Sequence, residues 1–450
     1  MTASRLMQNR GSILVGLLWC LVLLSVVVLG VLHTASLDMM VSKNYSDRIQ
    51  AHYLALAGVE KAKALLFQDA KDRSRSGKNH SGELYSSPDN FRDVKLGRGE
   101  FRVIRRGRQD EGGGLIYGIS DEESRMNLNE ANVQQLGKLD NISPDIIAAI
   151  VDWRDADNAV TPGGAEAEYY LSLQPPYVPR NGPFQTIREM LMVRGVNTDV
   201  LFGSDGNQNG LIDFGANDDS GRAGDAGAVL EDGGWAAILT LDSSVKNLNA
   251  AGDDRVNVQT ADEKTLSTVK GITPTIARAI VSYRGQKQLQ SIADLLDVTA
   301  SQNQGQNPLQ PNNQGGQPTG PTVIDENLLQ EMGDDISVST DEDLAGAVNV
   351  NTASLAVLSS LPGISRELAQ AIISYRASSG FFDNVAWLLK VPGMTRDIFK
   401  QVAPQVTVRS ETFRIISEGK IGSSGTRQRL QVIVRVSYKQ IDTLSYREDL

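Results

Sequence analysis

Residues 12–32 carry no charged side chain: 21 positions run from Ser12 through Trp19 and Cys20 to Leu32. Such a run is long enough to cross a bilayer as a single helix. A secretory signal has a shorter apolar core followed by a small-residue cleavage site, and neither feature is here. Polarity breaks before the run instead, at Arg10-Gly11. Arg5 and Arg10 precede it, so the positive-inside rule leaves the first residues cytoplasmic and sends the bulk of the chain across. Anything that follows must fold beyond a membrane anchor.

The helical pattern continues past Leu32. No proline occurs before Pro88, and Leu54, Gly58, Ala62 and Leu65/Leu66 extend an i, i+4 stripe. A helix from Ser12 to Leu66 would be a rod of about 80 Å, half in lipid and half packed on a soluble domain. Residues 69–95 are polar and read as a loop. Period-two runs follow at Phe101/Val103 and Leu115/Tyr117/Ile119, and return only at Phe413/Ile415 and Leu430–Tyr438. A lone hairpin is marginal, so both pairs are expected in one antiparallel sheet against the rod, with residues 121–408 as an insertion.

The insertion repeats. Asn127-Leu128-Asn129-Glu130-Ala131, Asn257-Val258-Gln259-Thr260-Ala261 and Asn349-Val350-Asn351-Thr352-Ala353 each lead to a turn and a second helix. Those helices end in Trp153-Arg154, Tyr283-Arg284 and Tyr375-Arg376, and Ser143, Thr273 and Ser365 suit their N-caps. Pro392-Gly393-Met394-Thr395 makes a fourth such turn. These are helix-hairpin-helix patterns, which often grip nucleic acid through turn N–H groups. The third copy, with Leu361-Pro362-Gly363-Ile364-Ser365, resembles the hairpin of competence-type DNA receptors. The first has Asp140-Asn141 in place of the turn glycine and is followed by Asp152, Asp155 and Asp157. With a net charge of −10 over 450 residues, nucleic acid is not the expected partner. The Gln/Asn/Gly/Pro-rich residues 301–321 cannot bury a core and read as a flexible loop.

The most specific chemical motif is Asp205-Gly-Asn207-Gln-Asn209-Gly210-Leu211-Ile212-Asp213. It offers oxygens at calcium-loop positions 1, 3, 5 and 9, the Leu211 carbonyl at 7, and glycine at 6. Position 12 is Ala216, leaving Asp218 or Asp219 to close the shell within a loop spanning 205–219. Hard oxygen ligands with no nearby His or Cys favour calcium. Asp152, Asp155 and Asp157, with Glu166 and Glu168 downstream, form a second metal candidate. No catalytic set is present: the histidines are His33, His52 and His80, and the sole cysteine, Cys20, lies in the apolar run. The chain does not read as an enzyme.

The break at Arg10-Gly11 before an apolar run resembles a type IV prepilin signal. Cleavage between Gly11 and Ser12 is what that implies. Most pilin-like proteins have Glu at the fifth mature position, where this chain has Gly16; a subunit without it resembles the exceptional member at a filament tip. The prepilin segment is joined to SDEESRMNLNEA (120–131), DWRDAD (152–157), PGGAE (162–166), Tyr169-Tyr170 and NGPF (181–184). Together they resemble general secretion pathway protein K, the large minor pseudopilin of type II secretion. The fold this implies is α+β. It comprises a leader (1–11), a transmembrane rod (12–68), a first pilin-like part (69–120), an inserted helical domain (121–408) and closing strands (409–450). The resemblance also implies a place at the tip of a periplasmic pseudopilus that helps export folded proteins, with calcium bound. Expected partners are other minor pseudopilins, the major pseudopilin, the prepilin peptidase, the inner-membrane assembly platform and membrane lipid. Expected localisation is the inner membrane, single-pass, with the bulk periplasmic. The alternative reading is a membrane-anchored DNA-uptake receptor using residues 347–400.

Overall fold

The computed structural model describes residues 8–77, 82–203, 205, 234–300 and 321–448. Helix α1 runs Gln8–Ser76 without a break, about 100 Å at the standard rise. Ile13 to Val41 are exposed along it, whereas Ala51, Ala55, Val59, Ala62, Leu66 and Ala70 are buried at helical spacing. Among the described residues it is the one helix long and apolar enough to cross a membrane. The expected loop from residue 69 is helix as far as Ser76. An Asp69–Arg73 pair at 3.0 Å supports that last stretch, and Arg73 and Arg75 complement the helix C-terminus.

The buried half of α1 lies on an antiparallel sheet. Its strands are β1 (Val94–Leu96), β2 (Gly99–Arg106), β3 (Leu115–Ile116), β4 (Ser120–Asp121), β5 (Thr412–Ile421), β6 (Arg427–Val436) and β7 (Ile441–Arg447), in the order β1-β2-β5-β6-β7, with β3 beside β2 and β4 beside β5. Strand β7 has no counterpart in the sequence pattern, because it is an exposed edge without the apolar alternation of β6. Phe101, Val103, Phe413, Ile415, Leu430, Val432 and Val434 face the helix. Two glycines let it approach: a Cβ at Gly419 would sit 2.0 Å from the Ala51 carbonyl, and one at Gly58 would sit 2.2 Å from Ser417 Oγ.

The insertion leaves after β4 and returns at β5, and the two points are hydrogen-bonded neighbours, with Asp121 opposite Phe413. Between them are three units, each closed by a short parallel ladder: Met126–Asn127 with Leu239–Thr240, Val256–Asn257 with Ile336–Ser337, and Val348–Asn349 with Val406–Thr407. The repeated residues have repeated roles. Asn127, Asn257 and Asn349 each accept the N–H two residues on. Arg154, Arg284 and Arg376 each reach back to the carbonyls of their own opening turn, at Leu128 and Ala131, at Val258, and at Val350 and Ala353. Ser143, Thr273 and Ser365 are the N-caps.

Each unit then contains a second helical pair, so the fourth turn noted at Pro392 belongs to the third unit. Within a unit the two turns pack on each other's helices: a Cβ at Gly363 would meet Ile398, and one at Gly393 would meet Leu368. The second and third units share one apolar core, and the first has its own. In the first unit Asn141 takes the left-handed turn position (φ 60°) that Gly271 and Gly363 hold in the others, a conformation asparagine tolerates. Residues 301–320 lie outside the described residues.

Candidate metal centre

Four consecutive residues at the end of helix Pro144–Arg154 divide the work of the first unit. Trp153 enters the core: its ring meets Tyr170 edge-on at 5.2 Å and Phe184 stacked at 6.3 Å, and its Nε1 donates to Glu189 at 3.0 Å. Arg154, on the other side, clamps the opening turn. Asp152 and Asp155 bracket them and turn the same way, as a spacing of three on a helix allows. Asp152 is fully buried, and both its oxygens accept from the Thr161 N–H at 3.2 Å. Asp155 is the helix C-cap. The chain loops out through Gly163 and Gly164 and returns with Glu166, buried at the N-cap of helix Ala167–Leu171. A Cβ at Gly164 would lie 2.1 Å from Asp152 Oδ2, so the loop passes that close to the carboxylate.

Carboxylate oxygens of Asp152, Asp155 and Glu166 come within 4.8 Å of one another. Asp155 Oδ1 and both Glu166 oxygens are buried and accept no hydrogen bond. Burial, and then repulsion by Asp157 and Asp152, pushes the Asp155 carboxyl above its ordinary range. Glu166 is raised by burial and by Asp152, Asp155 and Asp157. Like charges held together without donors are unfavourable unless protonated or neutralised by a cation. Three oxygen donors at a helix C-terminus, where the backbone dipole also favours positive charge, fit a hard divalent ion.

The second candidate set is therefore brought together in part. Asp152 and Asp155 converge, and their companion is Glu166. Asp157 turns its Oδ1 to the Ala159 N–H at 2.7 Å, and Glu168 is exposed. The sequence signal for Glu166 was the Gly163-Gly164 turn, which returns the chain to the helix end. Of the calcium-type loop, only Asp205 is among the described residues; it is buried just past helix Thr198–Phe202. Asn207, Asn209, Leu211, Asp213, Asp218 and Asp219 lie outside them. Gly11 and Ser12, the expected processing position, fall within α1.

A rod helix, an antiparallel sheet and a helical-hairpin insertion define a pilin-like chain with an inserted domain. Residues 119–202 match the family described as type II secretion system protein K; residues 252–300 and 345–407 match the helix-hairpin-helix motif. Type II secretion system protein K of Pseudomonas aeruginosa is 24% identical over 306 residues, covering 64% of this chain and 75% of that protein. Endonuclease/exonuclease/phosphatase family domain-containing protein 1 of mouse is 31% identical over 159 residues, or 34% of this chain; the chain spans 28% of that relative's length. A solved structure of the GspK-GspI-GspJ complex from the enterotoxigenic Escherichia coli type 2 secretion system is 14% identical with a TM-score of 0.45, covering 89% of this chain and 97% of that one. The resemblance read in the sequence is borne out: residues 119–202 carry the type II secretion system protein K domain, and curated proteins of that name are similar over up to 64% of the chain.

Proposed function

We propose that the chain is a minor pseudopilin that starts a type II secretion pseudopilus and stays at its tip, working with other minor pseudopilins and with the inner-membrane assembly machinery. The observation that carries this reading is the layout of α1. Its first half is exposed and apolar, its second half is fixed on the sheet, and a far larger body emerges beside the sheet between β4 and β5. A rod of this kind can leave lipid and pack among similar rods, while the bulk of the insertion is accommodated where no subunit stacks above. The work is mechanical, and the chain is a structural subunit and not an enzyme. Gold labelling of the insertion on assembled filaments tests the placement: label confined to one end supports it, and label along the shaft defeats it. Mass spectrometry of the mature N-terminus tests processing, with a start at Ser12 expected.

The same reading includes a resident cation. Asp152, Asp155 and Glu166 would hold it, and calcium is the ion that suits a set made only of oxygens. It would pin the 155–166 loop to the end of helix Pro144–Arg154.

A further inference from the structure

The sheet face turned away from α1 is built of arginines. Register places Glu100, Lys420 and Arg427 in one cross-strand row, and Arg102, Glu418 and Arg429 in the next. Ile104, Ile416, Gln431 and Arg447 follow, then Arg414, Ile433 and Ser445, then Thr412, Arg435 and Asp442. At the Thr412 end the insertion already occupies the face, where Arg414 pairs with the buried Glu122 at 2.7 Å. The open end carries Lys95, Arg102, Lys420, Arg427 and Arg429 against Glu100 and Glu418, in a chain whose net charge is −10. Ile104, Ile416 and Ile433 are nonetheless buried, at 1%, 4% and 5% exposure. Long cationic stems across an apolar floor, together with the insertion at the Arg414 end, cover them. Glu418, 1% exposed, is held by Arg102 at 2.8 Å and Arg429 at 2.7 Å, with Arg427 at 3.8 Å. It fixes the central guanidinium groups as a flat layer.

We infer that this arginine-covered face is a docking surface for an acidic face of a partner protein. A flat cationic layer over buried aliphatic residues has the make-up of a protein interface, in which arginine is enriched and opposed charge selects the partner. Lipid headgroups are out of reach, because the strands lie on α1 from Ala51 onward, about 28 Å along the helix from Leu32. A phosphate chain fits poorly, since Glu100, Glu418 and Asp442 interrupt the cations. The inference holds whether or not the chain caps a filament.

The test uses the full chain in nonionic micelles and labelled poly-L-glutamate, read by fluorescence anisotropy. Binding that weakens steeply with salt is expected. Lys420→Glu with Arg427→Glu should weaken it about tenfold, while Glu418 keeps Arg102 and Arg429. Lys420→Gln with Arg427→Gln should give an intermediate loss at unchanged Tm, which separates charge from folding. Absence of binding at low salt, or equal affinity in the reversed variant, overturns the inference. Preferential binding of a DNA duplex lost in the same variant, or a salt-sensitive dimer of the chain lost in it, also overturns it by giving the face another occupant.

Discussion

The molecule gathers two groups of three carboxylates, all buried except the half-buried Asp155, and treats them in opposite ways. Asp121, Glu122 and Glu123 lie where the insertion joins the sheet, each nearly or wholly buried. Asp121 Oδ2 accepts from Asn349 Nδ2 at 3.1 Å, from Ser410 Oγ at 2.6 Å and from the Thr352 hydroxyl. Glu122 is paired with Arg414 at 2.7 Å and also accepts from Thr240. Glu123 takes the N–H groups of Ser244 and Thr412, each at 3.2 Å. These donors come from the first unit, the third unit and the sheet, so one acidic run ties three bodies together. Asp152, Asp155 and Glu166 have almost no donors. The difference teaches that buried acidity alone identifies nothing: supplied with donors it is a joint, and starved of them it asks for a cation.

The sharpest way to break this contrast is a calcium titration of the full chain in micelles. At a thousandfold excess over its Kd, a calcium ion should stabilise the fold by about 4 kcal/mol, seen as a rise in Tm that chelator reverses. Glu166→Gln should invert in sign. It relieves repulsion and raises Tm in chelator, and it removes a ligand and lowers Tm in calcium. Since the folded values of Asp155 and Glu166 are raised, metal-free stability is fullest below the ordinary carboxylate range. It is lost as pH rises through the raised values. The calcium increment should grow over that same rise, because ion and proton compete. If Tm ignores both calcium and Glu166→Gln, the contrast fails.

The joint should respond differently. Asp121→Ala strands Asn349, Thr352 and Ser410 and should cost about 3 kcal/mol in denaturant unfolding, with calcium making no difference. Glu123 gives a smaller signal. Burial first, then its Asp121 neighbour, hold its carboxyl well above the ordinary range. Its contribution is therefore complete below the unfolded glutamate value and fades as pH rises through the folded one. Glu123→Gln imitates the protonated form, so its Tm should stay flat across that window while the parent declines. A parent whose Tm climbs over the same window would contradict the assignment.

Much of this was legible in residue order, and the limits were physical. The anchor and rod show because composition and period are local properties. The three hairpin units show because Asn127, Asn257 and Asn349 open each copy and Arg154, Arg284 and Arg376 end each helix, and each arginine reaches the opening turn of its own unit. The second helical pair of each unit was harder to see, since its short helices, such as Ile187–Met192 and Val385–Lys390, give one turn of periodicity or two. The run 120–131 was visible as a family pattern, but its role was not. Asp121 meets Asn349 and Ser410 across more than two hundred residues, and no local signal encodes that. Glu166 fell between: it was noted as acidic, yet only the return of the chain past Gly164 makes it a companion of Asp152.

Asp157 offers the finest division within the candidate centre, because sequence spacing put it among the ligands and the structure leaves it just outside. Its charge acts on Asp155 and Glu166, while its Oδ1 is occupied by the Ala159 N–H. A group that contributes field but no coordinating atom changes affinity by the screened energy of one charge, less than about 1 kcal/mol at a surface. Asp157→Asn, which keeps the acceptor for Ala159, should therefore weaken calcium by about twofold to threefold, whereas Asp155→Asn should remove most of the calorimetric heat. The small loss should shrink further as salt is raised, since a field is screened and a bond is not. Equal losses for the two variants would return Asp157 to the coordination shell and require the 155–159 turn to rearrange around the ion.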